Sequence, residues 1–102
     1  MAYRGEDIPI VITGDEENNL DTLDFKVLFY PHDKPESSTT LLKSEMKKES
    51  ENSYSGKIPY TTTKEMSVGY YTIEILTIGD ERRIFKKDGA FTLYDSASKN
   101  IT

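Results

Sequence analysis

The chain has 102 residues, which suits one domain and leaves no room for a second core. Seven tyrosines and four phenylalanines exclude an ordinary disordered segment, because these side chains bury large areas. A net charge of -5 without a basic stripe excludes an electrostatic nucleic-acid binder, and the lack of cysteine excludes disulfides and thiolate metal sites.

The N-terminal third of the chain predicts two strands separated by a solvated turn. In IPIVIT, residues 8–13, isoleucines occupy alternate positions, and Pro9 indicates an edge strand because it cannot donate a ladder hydrogen bond. The stretch GDEENNLDT is typical of a turn. LDFKVLFY, residues 23–30, predicts the second strand, and its inward positions are Leu23, Phe25, Val27 and Phe29.

The middle of the chain gives weaker signals. PHDKPESS predicts a loop, and TLLKSEMKK, residues 40–48, is compatible with a short helix or a strand. We favour a strand, because the neighbouring segments are strands and a helix here would lack an apolar face. YSGKIPY, residues 54–60, predicts another strand, at whose end Pro59 indicates an edge. TTTKEM then predicts one helical turn capped by a threonine.

The C-terminal part of the chain predicts the remaining strands. In SVGYYTIEIL, residues 67–76, Tyr71, Ile73 and Ile75 point to one face and the residues between them to the other. Gly79 and Asp80 turn the chain into RRIFKK, and AFTLYD predicts the final strand. SASKNIT, residues 96–102, predicts a flexible tail.

Six or seven short strands with regularly spaced turns predict a two-sheet sandwich. We therefore expect an all-β fold, a small immunoglobulin-like antiparallel β-sandwich of about seven strands, formed by residues 1–95 as a single domain. In such sandwiches a tyrosine near the start of the penultimate strand ties a corner through its hydroxyl. Gly69 and Tyr71 have the matching order, so we expect the Tyr71 hydroxyl to point toward the connection 61–66.

No residue pattern indicates catalysis. The one histidine, His32, lies in a predicted loop, and Ser37 and Ser38 share that loop, which cannot hold a nucleophile in place. The acidic stretch 15–21 lacks the central glycine and closing glutamate of an EF-hand, so we interpret it as a solvated turn. We predict no enzyme, no cofactor and no metal site.

The sequence also predicts where the protein is made. MAYRGEDIPI lacks the apolar run of a signal peptide, and no segment approaches the ~18 apolar residues of a membrane helix. We therefore expect synthesis in a reducing cytoplasm, release by lysis, and neither nucleic acid nor membrane as a partner.

The order IPIVITGDEENNLDTLDFKVLFY, GKIPY, a threonine-rich turn, SVGYYTIEI and a closing hairpin resembles the small Ig-like domains of tailed-phage virion proteins. The similar proteins are the N-terminal domain of baseplate upper proteins and related head-fibre or auxiliary capsid proteins. Baseplate proteins continue into a long fibre region, which this sequence does not contain. The resemblance therefore implies a capsid-decorating or head-fibre-associated protein in the virion. It would bind major capsid or fibre subunits and, in the assembled particle, copies of itself.

A candidate partner interface lies opposite the predicted core positions, and it consists of Leu28, Tyr30, Leu76 and Ile78. The alternative is that bulges or the loop 31–40 cover these residues. Three other functions stay open at this point. A carbohydrate-binding or adhesin-like module would use exposed residues among Tyr54, Tyr60, Tyr70 and Tyr94. An intracellular inhibitor or scaffold would form a tight complex with a host protein, and a baseplate or tail adaptor would bind other virion proteins.

Overall fold

A computed structural model describes residues 2–95 as a β-sandwich of two sheets, which confirms the predicted fold class. The described part of the chain has eight strands, where about seven were expected. The strands are β1 (Ala2–Tyr3), β2 (Ile8–Thr13), β3 (Phe25–Pro31), β4 (Thr39–Leu42), β5 (Lys47–Ser50), β6 (Ser53–Ile58), β7 (Gly69–Thr77) and β8 (Arg83–Tyr94). The predicted tail, residues 96–102, lies outside the described residues.

The sheets are unequal in width. The larger sheet has the strand order β1-β8-β7-β3-β4, and the smaller has the order β2-β6-β5. The edge position predicted from Pro59 is wrong, because β6 is the central strand of the smaller sheet and ends at Ile58, before the proline. Every pairing is antiparallel except that of β1 with β8, where Ala2 lies beside Leu93. Two strands therefore extend the larger sheet beyond the width that the smaller one can cover.

The core forms where the alternating faces of the two sheets meet. Phe25, Val27 and Phe29 of β3 are fully buried, as their spacing predicts, and Leu23 precedes the strand. On β7, alternate residues from Tyr71 to Ile75 are buried beside them. The facing residues from the smaller sheet and its connections are Ile8, Ile10, Ile12, Leu20, Tyr54, Ile58 and Met66.

Aromatic rings join the sheets. The ring of Phe25 in β3 meets Tyr54 of β6 edge-on, with 5.7 Å between ring centroids. Tyr71 and Phe91 stack within the larger sheet at 5.1 Å and an interplanar angle of 4°. Edge-on and stacked pairs add roughly 0.5–1.5 kcal/mol beyond the area that they bury. Phe25, Phe29, Tyr54 and Tyr71 thus add ring contacts to a core cluster whose other members are mainly isoleucine and leucine.

The prediction of one strand over residues 40–48 is wrong. The chain runs along the larger sheet as β4, makes a 3₁₀ turn at Lys43–Glu45, and enters the smaller sheet as β5. Because the segment changes sheets, it must break in the middle, and that break explains its mixed helix and strand signals. The turn places the Lys43 ammonium 2.8 Å from the Leu20 carbonyl and 2.6 Å from the Leu23 carbonyl. Lys43 therefore secures the loop before β3.

The last strand is longer than predicted and irregular. RRIFKK and AFTLYD form the single strand β8, with two register shifts against β7. One shift surrounds Gly89, whose φ of 64° lies in the left-handed region that suits glycine at a bulge. The bulges allow twelve residues to follow the twist of β7 as one strand.

The helical turn before β7 forms, but without the predicted threonine cap. Helix α1 spans Tyr60–Thr63 and begins after Pro59, with no side-chain cap. Thr63 is buried instead, where its hydroxyl donates to the Glu6 carbonyl at 2.8 Å and accepts the Gly5 N–H at 3.0 Å. Within residues 2–95, no helix is long and apolar enough to cross a membrane.

Asn52, in the turn between β5 and β6, ties that turn to the loop after β2. Its carbonyl accepts the Gly14 N–H at 2.9 Å and its side-chain oxygen accepts the Leu20 N–H at 2.6 Å. Its own N–H donates to Asp21 Oδ2 at 3.1 Å. The φ of Asn52 is 59°, in the left-handed region that asparagine tolerates better than most residues.

We expect Asn52→Ala to destabilise the fold more than Asn52→Gly, by about 1 kcal/mol. Both substitutions remove the side-chain hydrogen bonds, but only alanine adds strain at positive φ. Urea unfolding of both variants measures the difference. Equal midpoints and slopes for the two variants would show that the backbone conformation of Asn52 carries no strain.

Candidate interaction surfaces

The corner at the start of β7 is built from Gly69 and Tyr71. Gly69 has a φ of 130°, a conformation that side chains rarely adopt. Tyr71 is 2% exposed, and its hydroxyl donates to the Ser67 carbonyl at 2.8 Å. This acceptor lies one residue beyond the expected connection 61–66, and the bond has the form of an Ig-like tyrosine corner. The corner fixes how the chain leaves α1 and enters the larger sheet.

Three residues of the predicted interface, Leu28, Tyr30 and Leu76, lie on the outer face of the larger sheet, and Ile78 lies in the turn directly after β7; the four are not exposed together. Leu28 and Leu76 are half-buried, Ile78 is 42% exposed and Tyr30 is 7% exposed. The strand register places Leu28 opposite Glu74 and Tyr30 opposite Thr72, so polar side chains interrupt the apolar surface. The continuous patch that the alternation suggested is therefore smaller than predicted.

Tyr30 is taken up by a polar contact rather than left free for a partner. Its hydroxyl donates to Glu74 Oε2 at 2.6 Å, and Glu74 Oε1 pairs with the Arg83 guanidinium at 3.2 Å. Burial, followed by the Glu74 carboxylate, raises the pKa of Tyr30 to about 12. Tyr30 thus links β3 to β7, and through Glu74 to β8, on the outer face.

Leu42 joins the exposed apolar residues of this face, although the sequence did not single it out. It lies opposite Lys26 on β3, and Lys26 lies opposite Leu76 on β7. Leu42 is 41% exposed, and the Lys26 ammonium pairs with Glu81 at 3.0 Å. We call Leu28, Leu42, Leu76 and Ile78 the outer-face patch. Leu42 was missed because the segment 40–48 was interpreted as one strand.

His32 has structural partners. Its Nδ1 lies 3.2 Å from Thr72 Oγ1 and 3.7 Å from Asp88 Oδ1. Thr72 is fully buried and also donates to Asp88 Oδ1 at 3.1 Å. These contacts join the end of β3 to β7 and to the bulge in β8. His32 therefore has the contacts of a residue that stabilises the sheet.

Asp15 and Asp21, two acidic residues of the loop after β2, have partners within the described chain. Asp15 accepts the N–H groups of Glu17 and Asn18, at 3.0 and 2.8 Å. Asp21 accepts the Lys48 ammonium at 3.0 Å and the Tyr54 hydroxyl at 2.9 Å. The hydrogen bond from Lys48, followed by that from Tyr54, lowers the pKa of Asp21 below its usual value. Within residues 2–95 no three His, Cys, Asp or Glu residues are grouped as metal ligands.

The four tyrosines predicted as possible sugar contacts do not form one exposed row. Tyr54 is buried in the core, whereas Tyr60, Tyr70 and Tyr94 are exposed. Tyr70 lies opposite Thr92, and the Tyr94 ring lies 5.8 Å from that of Tyr3, at an interplanar angle of 42°. We call Tyr3, Tyr70 and Tyr94 the aromatic end of the larger sheet.

Comparison with known proteins bears on the fold alone. No family model matches the sequence, and no curated protein matches it. Among solved structures, a chain of a "putative glycoside hydrolase" from Bacteroides vulgatus is similar, with a TM-score of 0.57 and 13% sequence identity. The match covers 97% of this chain and 17% of that one. The similarity agrees with a β-sandwich.

We expect Tyr71→Phe to lower the free energy of unfolding by about 1 kcal/mol, because it removes the corner hydrogen bond and keeps the stacked ring. Urea unfolding measures the change. Tyr60→Phe is the matched control, since the Tyr60 ring is exposed, and we expect its effect to stay below about 0.5 kcal/mol. Equal effects of the two substitutions would contradict the role of the corner.

We expect Asp21 to contribute to acid sensitivity. Because its pKa is lower in the folded chain, the unfolded chain binds more protons as the pH falls below about 4, and stability is lost there. Asp21→Asn should start less stable at pH 7 and lose less stability on acidification. Melting temperature against pH measures this, and Asp24→Asn controls for the loss of one charge. Parallel curves for wild type and Asp21→Asn would contradict the assignment.

Proposed function

We propose that the protein is a non-catalytic virion structural protein, an auxiliary capsid or head-fibre-associated subunit that binds other capsid subunits. The observation that carries the proposal is the outer-face patch. Leu42 on β4 and Ile78 in the turn after β7 keep about two fifths of their surface exposed, beside a sheet face that the rest of the described chain leaves uncovered. Exposed apolar residues grouped on one face, with polar residues around them, are typical of protein interfaces.

The surroundings of the patch support a protein partner. Lys26, Glu74, Arg83 and Glu81 form ion pairs on the same face, so the patch has a polar rim whose charges are already matched. Such an interface favours docking of a rigid surface, because few side chains need to be reordered on binding. The Ig-like strand order and the resemblance to phage virion domains support the virion as the place of assembly.

Peptide mass spectrometry of particles, purified by density from a culture that produces the protein, tests this function. We expect the protein in purified particles at a fixed copy number that fits the particle symmetry, as for a structural subunit. Abundance in the cell lysate together with absence from particles would contradict the virion role and favour an intracellular binding protein.

The patch itself is tested with Leu42→Gln and Ile78→Gln together. We expect the copy number in particles to fall about tenfold, because two apolar contacts are lost, while the melt stays cooperative. Tyr60→Gln is the control. Tyr60 suits this purpose because it lies away from the patch. It belongs to helix α1, which leads to the end of the larger sheet where Pro31 and Ser67 line one cavity. Ile78 lies at the opposite end, where its N–H donates to the Asp24 carbonyl. An unchanged copy number for the double variant would place the interface elsewhere.

The aromatic end of the larger sheet favours a second candidate, a carbohydrate-binding module. Tyr70 is 70% exposed and Tyr94 is 43% exposed. The structurally similar chain bears the name "putative glycoside hydrolase", and the match covers 17% of it. Titration with soluble polysaccharides, followed by tyrosine fluorescence, distinguishes the candidates. A saturable change that Tyr70→Ala removes would support the carbohydrate module.

A further inference from the structure

Strand β2 has one open side. In the described part of the chain it pairs with β6 alone, and it is therefore an edge strand, as Pro9 predicted. Val11, in its middle, is 68% exposed. An open edge of this kind presents backbone groups that another strand can pair with.

The backbone groups on the open side can be assigned from one hydrogen bond. The Gly14 N–H donates to the Asn52 carbonyl at 2.9 Å, and this pair continues the register in which Thr13 lies opposite Ser53. In an antiparallel ladder the hydrogen-bonded pairs alternate with pairs whose backbone groups point away. The N–H groups of Ile10 and Ile12 therefore point to β6, and those of Val11 and Thr13 point to the open edge.

A cleft of about 410 Å³ adjoins this edge. Its floor is apolar and comes from both sheets, through Ile10, Ile12, Ile73, Ile75, Ile84 and Phe85. Phe85 is 45% exposed, because β8 extends past the rim of the narrower sheet. Strand β1 pairs with β8 only at Leu93 and Tyr94, so the part of β8 beside the cleft has β7 as its one described neighbour.

The shape and bonding of the cleft suit an extended strand. A strand placed beside β2 would accept and donate hydrogen bonds at Val11 and Thr13, and would turn alternate side chains onto the apolar floor. The six residues of β2 present three side-chain positions per face to such a strand. This mode of binding uses main-chain bonds for affinity and pockets for alternate side chains for selectivity.

Charge indicates the chemistry of the incoming strand. Strand β2 carries no charge. Glu6 and Asp7 precede it, although the Asp7 carboxylate already pairs with the Lys57 ammonium at 3.2 Å, and Asp15, Glu16 and Glu17 follow it. Basic residues at the ends of an incoming strand would therefore be attracted. Lys87 also lines the cleft, so uncharged residues suit the middle of the strand.

The same charges disfavour a second copy of this chain. Antiparallel pairing of β2 with β2 of another copy would bring the acids after one strand against Glu6 and Asp7 of the other. Pro9 would also leave such a pair without one of its hydrogen bonds. Charged residues and proline at an edge are devices that prevent pairing of like strands.

We propose that the open edge of β2 and the adjoining cleft accept an extended strand from another subunit of the particle, with alternating apolar side chains and basic residues at its ends. The inference rests on the proposed function for the source of the strand. The geometry of the site stands independently of that source.

Amide hydrogen exchange of the purified protein with a synthetic peptide tests the site. The probe is a seven-residue peptide in which three valines alternate with two threonines between terminal lysines, and its partner probe carries glutamates in place of the lysines. We expect the lysine peptide to slow exchange at Val11 and Thr13 by about tenfold or more and the glutamate peptide to have a smaller effect. No protection, or equal protection by both peptides, would overturn the proposal.

Two variants separate edge pairing from simple apolar contact. Val11→Pro removes the N–H that faces the open edge, and we expect it to weaken peptide binding about fivefold or more. Val11→Thr keeps the N–H and should bind as wild type does; equal binding by both variants would overturn the pairing. Protection of Val11 and Thr13 without peptide would mean that the chain itself or a second copy covers the edge, which also overturns it. Because no particles are used, failure here leaves the copy-number test of the virion role unaffected.

Discussion

The structure depends on the contact between two sheets of unequal width. A sheet is stable when its apolar face is covered by another layer, and here three strands cover five. The chain closes one side of the larger sheet with the segment that crosses from β4 to β5. On the other side it leaves a cleft between β2 and β8. The buried residues of β3 and β7 lie in the middle, where coverage is complete. Phe85 lies at the margin beside the cleft, and the outer-face patch lies on the face that no second layer covers.

The sequence predicted the strands whose pattern of apolar residues can be recognised without knowing which strands pair with them. In each of β2, β3 and β7 a buried apolar residue recurs at every second position over three positions, and this pattern is visible without knowledge of the neighbours. Tyr71 was also predictable, since the glycine before it and the isoleucine after it follow the order of a corner in Ig-like sandwiches.

Other features depend on distant residues and leave weak local signals. Strand β1 has two residues and exists through its pairing with β8. The break within residues 40–48 is set by the distance between the sheets rather than by residue preference. Tyr30 has the position of an exposed residue, but Glu74, which lies far away in sequence, accepts its hydroxyl and keeps it buried. Leu42 and the cleft beside β2 become candidates only when the pairing of the strands is known.

We infer that a rigid domain, held at its corner and turns by specific hydrogen bonds, presents the outer-face patch and the open edge of β2 to neighbouring subunits. Reconstruction of purified particles by cryo-electron microscopy tests it most directly. The account predicts the sandwich on the particle, with the outer-face patch against a neighbouring subunit and a strand of another chain beside β2. Particles without the sandwich, or with both the patch and β2 facing solvent, would contradict it.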